Sequence, residues 1–295
     1  MTPELTFFRH RPYLAYILPA FVIMTVLIAV PTGVMIYYSL TDYEIGYAEF
    51  ELVGLENYRK LFASPAFWHS LRLTVVYAAV VTAASLTIGF LVAKLMDRHV
   101  RVKALAFIAL VVPIAMTPSI AGQIWGLILN AEYGVLNYIL GATIGVTPAW
   151  LAAELAFASV IGVSVWQSAP FAALILYAGL QSLPAEPFEA ARTDGANRLQ
   201  ILWHITLPLM RMSIMLAFIF VVIDALRIFD IPFTLTQGGP GAATELLGMH
   251  IYRLGFSQTG WIGRASAASV ALMLLTAAVS LVLIFVFRRN AKELR

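Results

Sequence analysis

Cysteine is absent from the 295-residue chain, and only 12% of its residues are charged. The first absence excludes disulfides, thiolate metal sites and a cysteine nucleophile. The second excludes an ordinary soluble domain, in which about 25% of residues are charged and roughly 45–50% apolar. Here 61% are hydrophobic and the mean hydropathy is +0.85. A soluble enzyme, a disordered tail and a nucleic-acid binder are therefore set aside. The pI of 9.2 hides a net charge of only +3, so where the basic residues sit matters more than how many there are. The phosphate-binding pattern G-x-x-x-x-G-K-[ST] is missing too, so this chain has no such cradle for ATP. Histidines 10, 69, 99, 204 and 250 are scattered without metal-ligand spacing, and no metal or cofactor site is expected.

What the sequence has is long apolar runs. A helix needs about 20 apolar residues to cross the roughly 30 Å hydrocarbon core. Six stretches qualify: 14–40, 71–95, 104–129, 152–180, 211–231 and 264–287. They are continuously apolar rather than alternating, which argues against a barrel. The first is too long for the apolar core of a signal peptide and is read as a retained span. The expectation is an all-α polytopic membrane protein in one membrane domain, residues 1–295, with both termini on the same side.

Lys and Arg set the orientation. With the N-terminus inside, thirteen of the nineteen fall on inner segments: Arg9, Arg11, Lys94, Arg98, Arg101, Lys103, Arg192, Arg198, Arg211, Arg288, Arg289, Lys292 and Arg295. Five fall outside (Arg59, Lys60, Arg72, Arg253 and Arg264), and Arg227 lies within the fifth span. The positive-inside bias then places both termini in the cytoplasm. The acid-rich first outer loop, 41–70, agrees.

The inner loop 181–210, QSLPAEPFEAARTDGANRLQILWHITLPLM, is far longer than neighbouring helices need. Pro184 and Pro187 mark an entry, and Phe188–Thr193 favours helix. Asp194-Gly195 is a turn pair, because glycine accepts the positive φ that ends a helix. A second short helix is expected over 197–206, with Leu199, Leu202 and Trp203 on one face, until Pro208 breaks it. A narrow helix–turn–helix of small residues suits a groove on a partner. By composition it suits the lipid headgroup layer equally well.

The exact residues favour the partner. E-A-A at Glu189, Ala190 and Ala191 is followed by D-G-A at Asp194, Gly195 and Ala196. Nine residues beyond the glycine comes I-T-L-P, Ile205 to Pro208. This resembles the EAA loop of ABC-importer permeases. V-G-L-E-N-Y at Val53–Tyr58, Pro113, Trp125, E-Y-G-V-L-N at Glu132–Asn137, and T-Q-G-G-P-G at Thr236–Gly241 with Thr244 extend the resemblance along the chain. Together they resemble the sugar-type subfamily, near the maltose-permease first subunit and its glycerol-phosphate relatives. Leu202 departs from it, since an aromatic residue is commoner there.

The resemblance implies the type I ABC-importer permease fold, with six transmembrane helices and a cytoplasmic coupling-helix loop. It implies a transport subunit, not an enzyme, in a bacterial or archaeal cytoplasmic membrane. The implied partners are a second permease, an ATPase dimer that carries ATP and Mg, an extracytoplasmic binding protein and a carbohydrate. No cofactor is expected on this chain. Glu189 would pair with a basic residue of the ATPase and Gly195 would permit the turn. Phe188, Leu202 and Trp203 would give apolar contact. Asp194 is expected to cap the second coupling helix.

Charged groups inside the membrane are costly and call for partners. Asp224, Arg227 and Asp230 are expected on one stripe of span five. Either they line the solute path, with Phe229 stacking on a sugar, or they form an internal network that fixes the span. Trp166, Gln167 and Ser168 before Pro170 allow a bent span lining a cavity, or a packed kink. Pro113 and Pro118, around Thr117 and with Ser119 and Gln123 nearby, read as a hinge or a packing feature. Trp125 and Trp150 are expected in the interfacial belt. The same architecture for glycerol phosphate or another polar solute is the nearest alternative. An intramembrane enzyme is remote, because no Ser–His or paired-carboxylate set can be assembled at one depth and His69, His204 and His250 are expected in loops. A structural scaffold leaves the thirty-residue loop unexplained.

Overall fold

A computed structural model of the chain describes residues 13–98, 100–257 and 259–292. Arg9, Arg11, His10, His99 and Arg295 lie outside the described residues. The described chain is helical, and its one β feature is an isolated antiparallel bridge between Thr41 and Leu52. The helices are α1 (Tyr13–Ser39), α2 (Glu56–Ala63), α3 (Pro65–Arg98), α4 (Val100–Ala115), α5 (Pro118–Ile128), α6 (Val135–Ile144) and α7 (Ala156–Gln181). They continue with α8 (Glu186–Thr193), α9 (Arg198–Ile201), α10 (Leu207–Leu209), α11 (Arg211–Leu226), α12 (Asp230–Thr236), α13 (Leu247–Tyr252) and α14 (Ile262–Lys292).

Four helices are individually long and apolar enough to cross a membrane, within α1, α3, α7 and α14. Two bent pairs bring the number to six if each pair counts as one span. The expected third span is not one straight helix: α4 and α5 meet at 106°. Pro118 is the cause, since it lacks the N–H that would continue α4 and its fixed φ suits the first turn of α5. The fifth span differs as well. Helix α11 stops at Leu226, and residues 227–229 separate it from α12.

The chain divides into two compact units. One holds the chain up to Ser64 together with Ile251–Met273. There, Asn57 Nδ2 donates to the carbonyls of Ser39 (2.9 Å) and Thr41 (2.7 Å), closing the open end of α1. Tyr58 and Ser39 share a 2.7 Å hydroxyl contact. A Cβ at Gly263 would collide with the Thr41 carbonyl, so this backbone approach requires glycine. The V-G-L-E-N-Y segment is thus a stitch on α1.

The other unit holds Pro65–His250 and Leu274–Arg295. Its centre is α3 against α7, with Tyr77, Val81, Val160, Val163 and Ala169 buried between them and α11. Small residues permit the approach: a Cβ at Gly89 would lie 2.9 Å from the Ala173 nitrogen. Where lipid tails are as apolar as the helices, such close packing is what holds helices together. Gly179 meets Ser213 of α11 in the same way, and Gly122 of α5 meets Thr234 of α12.

Candidate functional site

Two places in the second unit concentrate polar groups. The first is the segment after α7. Its opening helix α8 starts with Pro187 in the first turn, where a missing N–H costs nothing. It ends in a paired arrangement: Ala196 N donates to Ala191 O at 2.9 Å and Gly195 N to Arg192 O at 3.1 Å. Gly195 has φ +79° with open space where a Cβ would point, so the demand for glycine there is conformational. The second helix is not capped by Asp194, which ends α8 instead. Asn197 caps it: Oδ1 accepts from Leu199 N (3.0 Å) and Gln200 N (2.9 Å), while Gln200 Oε1 accepts from Asn197 N (2.7 Å). That reciprocal pair was readable in the sequence as N-x-x-Q.

Pro208 does not break the second helix as expected. It lacks the N–H that an α turn needs, and the chain widens into a π turn over Leu202–Thr206 before continuing to Leu209. The sharp 69° bend comes after Leu209, before α11. Glu189, Ala190, Asp194, Gly195 and Pro208 are exposed, and Ala191, Ala196, Leu202 and Ile205 are half-buried. Leu199 and Trp203 face outward, 66% and 65% exposed. The half-buried Phe188 and Leu202 and the exposed Glu189, Arg192 and Arg198 line an open cavity of about 770 Å³ at this segment. Gln181 Nε2 donates to Asp97 Oδ1 at 2.7 Å at the adjoining ends of α7 and α3.

The second place is a cavity of about 750 Å³ among α3, the α4–α5 break, α7 and α11. Gln167, Ser168, Asp224 and Arg227 line it, with Tyr77 and Ser164 at its α3–α7 wall. Asp224, Arg227 and Asp230 do not share one helix stripe, because α11 ends between the first two. Arg227 instead sits at the C-terminus of α11, where a cation complements the helix carbonyls. It forms no ion pair among the described residues. Asp230 begins α12 and accepts from Ser119 Oγ at 2.8 Å, outside the cavity lining.

Phe229 and Trp166 are also elsewhere. Phe229 stacks on Phe233, centroids 5.0 Å apart. Trp166 lies edge-on to Trp125 at 5.5 Å and lines a separate apolar groove with Pro113 and Pro170. Trp125 packs against the core, and Trp150 Nε1 donates to Asn137 Oδ1 at 2.8 Å. The histidines expected in loops are in helical turns. His69 is in α3, His204 in the π turn, and His250 in α13, where Nδ1 lies 3.0 Å from Glu245 Oε1.

The T-Q-G-G-P-G segment is a folded turn. Gln237, Gly238, Gly241 and Ala242 all have positive φ. Thr244 Oγ1 donates to Gly239 O at 2.9 Å and shares a 2.7 Å contact with Thr236 Oγ1. Thr244 is thereby explained as the brace of this loop.

A model of the binding-protein-dependent transport system inner membrane component family matches residues 85–295. The chain is 38% identical to a probable ABC transporter permease protein, y4oQ, of Sinorhizobium fredii, covering 94% of this chain and 90% of that one. It is 33% identical to the trehalose/maltose transport system permease protein MalF of Thermococcus litoralis, over 98% and 99% of the two chains. In fold it matches a chain of a bacterial alginate ABC transporter solved in complex with an alginate pentasaccharide-bound periplasmic protein. The TM-score is 0.83 at 19% identity, covering 96% of each chain. The chain belongs to the binding-protein-dependent transport system inner membrane components: it is a multi-pass ABC-importer permease, a transport subunit rather than an enzyme.

Proposed function

We propose that this chain forms half of the translocation path of an ATP-driven, binding-protein-dependent importer for a carbohydrate, either an oligosaccharide or a sugar alcohol. The observation that carries the solute class is the charge of the 750 Å³ cavity, lined by one guanidinium, Arg227, and one carboxylate, Asp224, together with Gln167 and Ser168. Such a lining offers donors and acceptors to hydroxyls, and a single cation is thin for a phosphate dianion. That disfavours glycerol phosphate, although a relative 29% identical to this chain is the sn-glycerol-3-phosphate transport system permease protein UgpA of Agrobacterium fabrum. The sugar-named relatives support the same reading.

The EAA segment would couple this path to a partner ATPase on the cytoplasmic side, with both chain termini there too. Glu189 would meet a basic residue of the ATPase, and Ala190, Ala191 and Ala196 keep the docking face narrow. Closure of the ATPase dimer on ATP would draw this segment toward that of a second permease and switch the spans as rigid elements. ATP and Mg would stay on the ATPase. Solute would arrive from an extracytoplasmic binding protein.

The test is mild-detergent co-purification from native membranes, comparing wild type with Glu189→Ala. An ATPase, a second permease and a binding protein should accompany the wild type, with the ATPase lost or depleted in the variant. A chain that comes out alone in both forms would sink the proposal.

A further inference from the structure

The 106° break between α4 and α5 leaves the Met116 carbonyl outside both helices, without a helical donor. Gln167 of α7 supplies one: its Nε2 donates to Met116 O at 2.9 Å. Met116, Pro113 and Pro118 line the same cavity as Gln167, so the break is part of the solute chamber wall. The other end of the Gln167 amide is unusual, because Oε1 is buried with no hydrogen-bond partner. Buried polar atoms are nearly always satisfied, and an exception calls for an explanation.

The two sides of the break belong to different neighbours. Helix α4 packs on α7 and α3, whereas α5 packs chiefly on α12 and less on α7. Ser119 Oγ and Asp230 Oδ1 (2.8 Å), with Gly122 fitted against Thr234, fasten α5 to α12. The joint is Met116–Thr117, and Gln167 grips it from α7, the helix that packs on both sides of the break.

We infer that Gln167 is a positioning residue that latches the broken third span at Met116 in the arrangement seen here and releases it in a second arrangement that satisfies its amide oxygen. The inference rests on the importer reading above. In the exchange the Nε2–Met116 bond opens, chamber water takes over the Met116 carbonyl and the freed Nε2, and the buried Oε1 gains a donor. Water and solute hydroxyls both carry such a donor, and solute biases the joint because its several hydroxyls bind the released arrangement more tightly than water does.

The test uses the assembled importer in lipid. Because the chain has no cysteine, Cys can be introduced at Val112 and Ile120 alone, both 49% exposed and flanking the break, and spin-labelled. The inter-label distance of the wild type should take different values in nucleotide-free and ATP-trapped complexes, one of them matching the 106° bend. Gln167→Met keeps the size of the side chain while removing the donor and the orphan acceptor. It should shift the population out of the bent state and lower the ATPase stimulation by solute-loaded binding protein at least threefold. Gln167→Glu, which cannot donate when ionised, should do the same, whereas a packing role alone would leave Gln167→Met near wild type. An unchanged wild-type distance between the two nucleotide states overturns the latch even if neither variant assembles, and so does a Gln167→Met complex with wild-type distances and stimulation. A wild-type complex that carbohydrate-loaded binding protein fails to stimulate would instead count against the importer reading.

Discussion

Gly195 and Asn197 decide the shape of the segment between α7 and α11, and they do so by different physics. A side chain at Gly195 meets nothing, so Gly195→Ala is penalised only by the left-handed backbone, about 1–2 kcal/mol. The expected outcome is a two- to tenfold drop in solute-stimulated ATPase activity of the assembled importer, with unchanged helix content by circular dichroism. Gly195→Pro, whose ring fixes φ near −65°, should abolish stimulation. Full activity in that variant would remove the coupling role from this turn. Asn197→Ala removes two accepted hydrogen bonds and should cost about 0.5–2 kcal/mol locally. Amide exchange at Leu199 and Gln200 should speed up while the membrane helices stay protected. The helix over E-A-A and the turn at D-G-A were legible because their signals are local. Asp194 was misassigned as a cap because two cap-forming residues stand three apart, and only the backbone path shows that the first ends a helix and the second begins one.

At several crossings the helices approach closely through glycines. Gly122→Leu would drive a branched side chain into Thr234 and separate α5 from α12. Overpacking of this kind costs about 1–3 kcal/mol, and the purified protein should lose thermal stability by several degrees in detergent. An unaltered melting profile would mean that this contact does not hold α5. Apolar length made the long helices α1, α3, α7 and α14 legible in the sequence, because membrane thickness imposes such length. The breaks were less legible. Pro118 announces one; at the other, residues 227–229 contain neither proline nor glycine, and the signal is Pro232 in the first turn of α12, which has no N–H for the Ile228 carbonyl. The Asp224–Arg227–Asp230 spacing suggested one stripe only under the assumption of an unbroken helix.

At the level of the molecule, the chamber's charges should matter for solute rather than for assembly. Arg227→Ala and Asp224→Asn are each expected to reduce transport at least tenfold while the complex still co-purifies, as measured by uptake in proteoliposomes. Uptake near wild type in both would move the solute path elsewhere. The helices of this unit also differ in length. Helix α3 has 34 residues and α11 has 16, or about 51 Å and 24 Å at roughly 1.5 Å per residue. The hydrocarbon core is about 30 Å thick, so one helix outruns it and the other falls short. A bilayer must deform, or the long helix must tilt, to seat both, and each ångström of mismatch carries a small energy. Acyl-chain length therefore acts on this bundle as a mechanical load, and turnover measured across a series of lipids should pass through an optimum.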